Sequence, residues 1–191
     1  MVSGIFWHCP SSAASVFAMS QHPPSPLHVT PTTWATSHRL AAALRERGWQ
    51  LRTAESCTGG LIAATCTALS GSSDWFDRSY VTYSNAAKTG DLGVPPGLID
   101  AHGAVSVEVA QAMVMGLVRD TPGVVGVAVT GVAGPTGGSV DKPVGWVCTA
   151  WSVGGRVWTD AHQWPGDRAA VRAATVEHAL ATLVKACESS P

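Results

Sequence analysis

The sequence predicts an α/β protein: a single layered α/β/α domain built on a mixed β-sheet. Three observations predict it. Strand-like and helix-like segments alternate along most of the chain, the pattern of helices covering a sheet. The run VVGVAV (residues 124–129) is apolar throughout, as a strand buried on both faces must be. Near the end, Gly154-Gly155 joins two β-rich segments as a two-residue hairpin, which adds antiparallel pairing to the sheet.

Residues 1–33 stand apart. Pro10, Pro23, Pro24, Pro26 and Pro31 fall among Ser and His, and no apolar period survives that density of proline. The stretch has no Lys or Arg, so it does not read as a secretory signal. It is expected to be a disordered tail, with the folded domain at 34–188. Thr36 or Ser37 is expected to cap a first helix carrying Leu40, Ala41 and Leu44, with Gly48 as its stop. Residues 49–54 alternate as a strand. Residues 59–69 are helical by length and Ala/Leu content, and RSYVTYS (78–84) is β-rich. Residues 85–92 read as a short helix stopped by Pro95-Pro96. Ser106 caps a helix with the stripe Val109, Ala112, Met113, Gly116 and Leu117. The hairpin strands cover 145–153 and 156–164. Asp167 then caps a long last helix.

Composition narrows the function classes. Twelve Lys+Arg against thirteen Asp+Glu give a net charge of −1, too little positive charge for a nucleic-acid binder. No stretch approaches the ~18 apolar residues of a membrane span. The five cysteines are scattered and form no C-x-x-C, which fits a reducing cytoplasm. The seven histidines include no H-x-x-x-H pair, so metal ligation has no support. His102 reads as a loop residue and His178 as helix packing.

Three loops follow predicted strands, where open α/β sheets gather functional residues. In Ala54-Glu55-Ser56-Cys57-Thr58-Gly59-Gly60, Ser56 sits at the strand end. The amides from Thr58 to Leu61 would open a helix and could receive an anion or oxyanion; a simple capped helix start is the plain alternative. In the second loop, Lys88 is the only Lys or Arg between Arg78 and Arg119. A lysine in such charge-poor surroundings loses proton affinity and can act as a base; a solvated surface charge is the plain alternative. The third loop, 130–138, carries four glycines that could present amides to a phosphate. Arg168, in the first turn of the last helix, opposes the helix dipole unless an anion joins it. Cys57 is a further nucleophile candidate, though neighbours in sequence cannot both face one site.

Taken together, TAESCTGG (53–60), GSSDWF (71–76), VTYSNAAK (81–88), HGAVS (102–106), VTGVAGPTGG (129–138), KPVG (142–145) and PGDR (165–168) resemble the CinA carboxy-terminal domain family in its stand-alone form. The resemblance implies a CinA C-terminal-like fold and a Ser/Lys nicotinamide-nucleotide amidohydrolase. Such an enzyme turns nicotinamide mononucleotide into nicotinate mononucleotide and ammonia, within the pyridine nucleotide cycle of NAD metabolism. It implies Ser56, Lys88, Ser73 and Tyr83 as catalytic residues. It implies Thr58, Gly59, Gly60, Thr130, Gly131, Gly134 and Arg168 as substrate-binding residues. No metal and no cofactor are expected. The partner would be a small nucleotide, with no nucleic acid and no membrane; a homo-oligomer is compatible. A non-catalytic, competence-related nucleotide-binding module is the alternative.

Overall fold

The computed structural model describes residues 30–119 and 121–190. The tail expected at 1–33 therefore lies almost wholly outside the described residues. Its last residues do not: helix α1 spans Pro31–Arg47, three residues earlier than the expected boundary. Thr30 is its N-cap and accepts from the Thr33 amide, with Pro31 at the first helical position. Proline is favoured there because its missing N–H would have no helical partner. Thr36 and Ser37 thus sit inside the helix, and Ser37 is buried. Gly48 ends α1 in the left-handed conformation, as expected.

Strand β1 (Gln50–Glu55), helix α2 (Leu61–Thr67) and strand β2 (Phe76–Val81) follow. Helices α3 (Asn85–Leu92), α4 (Pro96–His102) and α5 (Val107–Val118) lead to β3 (Val124–Gly131). The hairpin β4 (Trp146–Val153) and β5 (Arg156–Gln163) precedes α6 (Arg168–Ser189). Helix α4 is an addition to the expected set. α3 ends at Gly93, whose left-handed conformation returns its amide to the Lys88 and Thr89 carbonyls, and Pro96 starts α4 at the new helix's first position rather than stopping α3. Strand β2 runs 76–81 rather than 78–84, since Ser84 turns to cap α3 by accepting from the Ala87 amide.

The five strands lie in the order β2-β1-β3-β4-β5. β1 pairs parallel with both β2 and β3, and the hairpin adds two antiparallel pairings. Alternation along the strands feeds two cores. Val127, Val129, Trp151 and Val153 pack with α1, α2 and α6, while Ala128, Cys148 and Ala150 pack with α5 and its neighbours. This is the expected α/β/α layering.

The register decides where function can sit. Glu55 is level with Val81 on one side and Val129 on the other, so the loops after β1, β2 and β3 emerge together. Gln163 pairs with Trp146, so the turn into α6 reaches the same sheet end.

Close helix contact fixes one face. A Cβ on Gly116 would fall inside the Leu92 carbonyl, so α5 can approach the end of α3 only with glycine there. Gly116→Ala is expected to destabilise the fold by at least ~2 kcal/mol, the cost of overpacking against an unyielding backbone. Chemical denaturation checks this, and an unchanged midpoint would contradict it.

Candidate active site

The centre is a buried lysine. Lys88 lies on the first full turn of α3, is 1% exposed, and turns inward towards the end of β1. Its Nζ is 3.2 Å from Ser56 Oγ and donates to the Thr82 carbonyl at 2.8 Å. No carboxylate pairs with it among the described residues. Burial accordingly pulls its pKa below the ordinary lysine value, only weakly opposed by the Cys57 thiol. The hydrogen-bond distance to Ser56 is the reach a general base needs.

Ser56 is held from both sides. Its amide donates to the Val129 carbonyl at 3.0 Å, continuing the β1–β3 ladder by one residue. Its carbonyl accepts from the Gly59 amide at 3.1 Å, which closes the turn into α2.

The residue before it supplies the clamp. Glu55 is fully buried, and its carboxylate accepts from the Gly60, Ile62 and Ala63 amides at 3.0, 3.0 and 2.9 Å. The Thr58 hydroxyl donates to it at 2.7 Å. Helix α2 has no side-chain cap of its own at Gly60, so Glu55 satisfies the helix start and complements its dipole. This corrects the expected oxyanion site. The Gly59 and Gly60 amides and the Thr58 hydroxyl are engaged within the turn. The amides of Cys57 and Thr58 carry no backbone partner among the described residues.

Cys57 faces elsewhere. It packs with Ala133, Val147 and Val171, and burial pushes its thiol up to about 12. A thiol in that state is no nucleophile at neutral pH.

A second cluster surrounds Arg168, at the first position of α6 behind its N-cap Asp167. Its guanidinium donates to the Gly134 carbonyl at 3.1 Å and to the Tyr83 hydroxyl at 2.9 Å. The loops after β2 and β3 are thereby joined to α6. Tyr83 is 60% exposed and bonds Arg168 rather than Ser56 or Lys88. Gly134 adopts φ +79°, and a Cβ there would strike Val144, so the loop needs glycine at that point. Gly131 packs directly on Val147, and Thr130 donates its hydroxyl to the Ala104 carbonyl, tethering the loop before α5. A cleft of about 580 Å³ beside Arg168 is lined by Pro135, Val144, Gly166 and Arg172 among others.

Ser73 is not brought to the site. It is exposed in the 3-10 turn Ser72–Asp74, ahead of β2. A six-residue parallel strand, roughly 17 Å of rise, separates it from the end that carries Ser56. Arg172 was not singled out by sequence reasoning. One turn beyond Arg168, it donates to the Thr58 carbonyl at 2.7 Å and ties α6 to the Ser56 turn. Its spacing of four from Arg168 on a capped helix is the signal that could have found it.

Residues 34–187 match the CinA C-terminal domain family. The chain belongs to that family. It is 53% identical over 154 residues to the nicotinamide-nucleotide amidohydrolase PncC of Pseudomonas putida, covering 81% of this chain and 95% of that protein. It is 46% identical over 140 residues to a CinA-like protein of Syntrophobacter fumaroxidans, covering 73% of this chain but 33% of that longer protein. Among solved structures it is similar to the competence/damage-inducible protein CihA of Agrobacterium tumefaciens, with a TM-score of 0.79 and 39% identity. That match covers 83% of this chain and 96% of the other. In this CinA-family chain, no described helix is long and apolar enough to cross a membrane.

The Glu55 clamp is testable. Glu55→Ala leaves three amides of the α2 turn unpaired in a buried setting, and is expected to cost about 3 kcal/mol or more. Urea unfolding measures it; a loss below about 1 kcal/mol would mean that Glu55 does not hold the turn.

Proposed function

We propose that this chain is a nicotinamide-nucleotide amidohydrolase working through a Ser56–Lys88 pair. The observation that carries the mechanism is the buried, carboxylate-free Lys88 at 3.2 Å from Ser56 Oγ. The amidohydrolase relatives, matched over nearly their whole length, support the substrate class.

An amide hydrolase needs a nucleophile, a base, oxyanion donors and an acid for the leaving amine. Neutral Lys88 accepts the Ser56 proton as Oγ attacks the carboxamide carbon. The Thr82 carbonyl takes one amine hydrogen and fixes where the lone pair points. The Lys88 ammonium then returns its proton to the departing nitrogen, and ammonia leaves an acyl ester on Ser56. Water, deprotonated by Lys88, hydrolyses that ester to the carboxylic acid and restores Ser56. Arg168 receives the nucleotide phosphate at the start of α6 in this scheme, a reading supported by its guanidinium being held by Tyr83 and Gly134. Tyr83 acts through Arg168 in this scheme, and Ser73 takes no part within one chain.

Ser56→Ala is expected to lower ammonia release from nicotinamide mononucleotide by at least roughly a thousandfold. Lys88→Arg keeps a positive charge but cannot serve as a base, so it should fall nearly as far. The double variant should be no worse than either single one, because the pair acts as a unit. Activity retained in Lys88→Arg would contradict the assigned base. Activity retained in Ser56→Ala would contradict the whole scheme.

Lys88 must be neutral to act, and its lowered pKa brings that state within reach. Activity should therefore rise with pH through the folded-state lysine pKa and level off above it. Arg168→Ala should raise KM for the mononucleotide by roughly 10- to 100-fold, the value of a charge-assisted contact. The dephosphorylated nucleoside should be affected much less. Equal losses for both substrates would remove Arg168 from phosphate binding.

A further inference from the structure

A different cluster lies where β5 faces α6. Asp160 and His162 are two residues apart and so project from the same side of β5, while His178 reaches them from α6. Both imidazoles address one oxygen. His162 Nε2 is 2.9 Å and His178 Nε2 is 3.1 Å from Asp160 Oδ2. The three ligand atoms all lie within 4.8 Å of one another.

We propose that Asp160, His162 and His178 bind one divalent transition-metal ion of the zinc type, which clamps β5 to α6. Tetrahedral zinc with bonds of about 2.0–2.1 Å places its ligand atoms about 3.3 Å apart. The carboxylate–imidazole separations are already within a few tenths of an ångström of that. Two imidazoles and a carboxylate suit zinc or its neighbours, and not magnesium or calcium, which prefer oxygen. The set is partly open to solvent, with side-chain exposures of 36%, 41% and 23% for Asp160, His162 and His178. A water can therefore complete the coordination.

The surroundings supply a stiff outer wall. Trp164 packs on both imidazoles at 4.9 and 5.4 Å, and Trp151 meets His178 edge-on at 5.5 Å. Trp151 is also stacked on Trp158 and donates its indole N–H to the Ala179 carbonyl, next to His178. Such packing fixes ring orientation before an ion arrives. The clamp brackets the turn 164–167 that delivers Arg168, so an ion there would stiffen the start of α6. This proposal does not depend on the amidohydrolase reading.

Calorimetry with Zn²⁺ on the metal-stripped full-length chain tests it. The chain has five further histidines, so the site is read as a difference between variants. The unaltered chain should bind one equivalent more than His178→Gln, or bind that equivalent more than tenfold more tightly. His162→Gln, on the edge strand, should lose the same equivalent and remains decisive should His178→Gln fail to fold. Co²⁺ should quench tryptophan fluorescence in the unaltered chain more than in either variant, and Zn²⁺ should reverse the difference. Equal stoichiometry, affinity and quenching in all three proteins would overturn the site and leave a hydrogen-bonded His–Asp–His cluster.

Discussion

The structure depends on how the end of β1 is held. Glu55 is a buried carboxylate, and a buried charge persists only where hydrogen bonds replace its water. Three α2 amides and the Thr58 hydroxyl do this, and in return the helix start gains the cap that Gly60 lacks. The exchange locks the chain at Gly59 and Gly60 and fixes Ser56 between them and the sheet. Were the carboxylate gone, the turn would lose its anchor to the α2 start, and the Ser56–Lys88 contact of 3.2 Å would rest on the sheet ladder and the Arg172 tie alone.

The parallel pairings extend that local order across the sheet. β1 lies between β2 and β3, so the Ser56, Thr82 and Thr130 positions stand side by side. The Thr82 amide donates to the Glu55 carbonyl at 2.9 Å, and its own carbonyl receives Lys88. One strand end therefore sets both members of the pair. The antiparallel hairpin then returns the chain to the same end, where Arg168 and Arg172 lash α6 to the three loops. Arg172 holds the Ser56 turn through the Thr58 carbonyl, and Arg168 joins Tyr83 to Gly134. The serine-lysine centre and the Arg168–Tyr83 cluster are thus braced by one helix.

Much of this was legible in the residues. Gly48, Ser106 and Asp167 act at their helix ends as their chemistry dictates, and Asn85 to Leu92 form the expected helix, ended by Gly93. The lack of other cations around Lys88 left a buried base and a solvated charge both open, and the fold buries it. Elsewhere local rules competed. Thr36 looked like a cap, but Thr30-Pro31 offers a better start one and a half turns earlier. Pro96 looked only like a stop, although the same ring geometry begins α4. Ser73 carries the family resemblance and still sits at the far sheet end, because it precedes β2 while the site gathers where the parallel strands finish. Glu55, Arg172 and the Asp160–His162–His178 cluster act through partners 2 to 114 residues away, and only the packed structure assembles them.

The account rests on Lys88 being available as a neutral amine because it is buried without a counterion. The most direct measurement is the titration of its side chain, followed by NMR on protein carrying ¹³C-labelled lysine, with Lys88→Arg used to assign the signal. Lys88 should lose its proton below the ordinary lysine value of about 10.4. Titration at or above that value would contradict it, because the ammonium would persist at the working pH and could take no proton from Ser56.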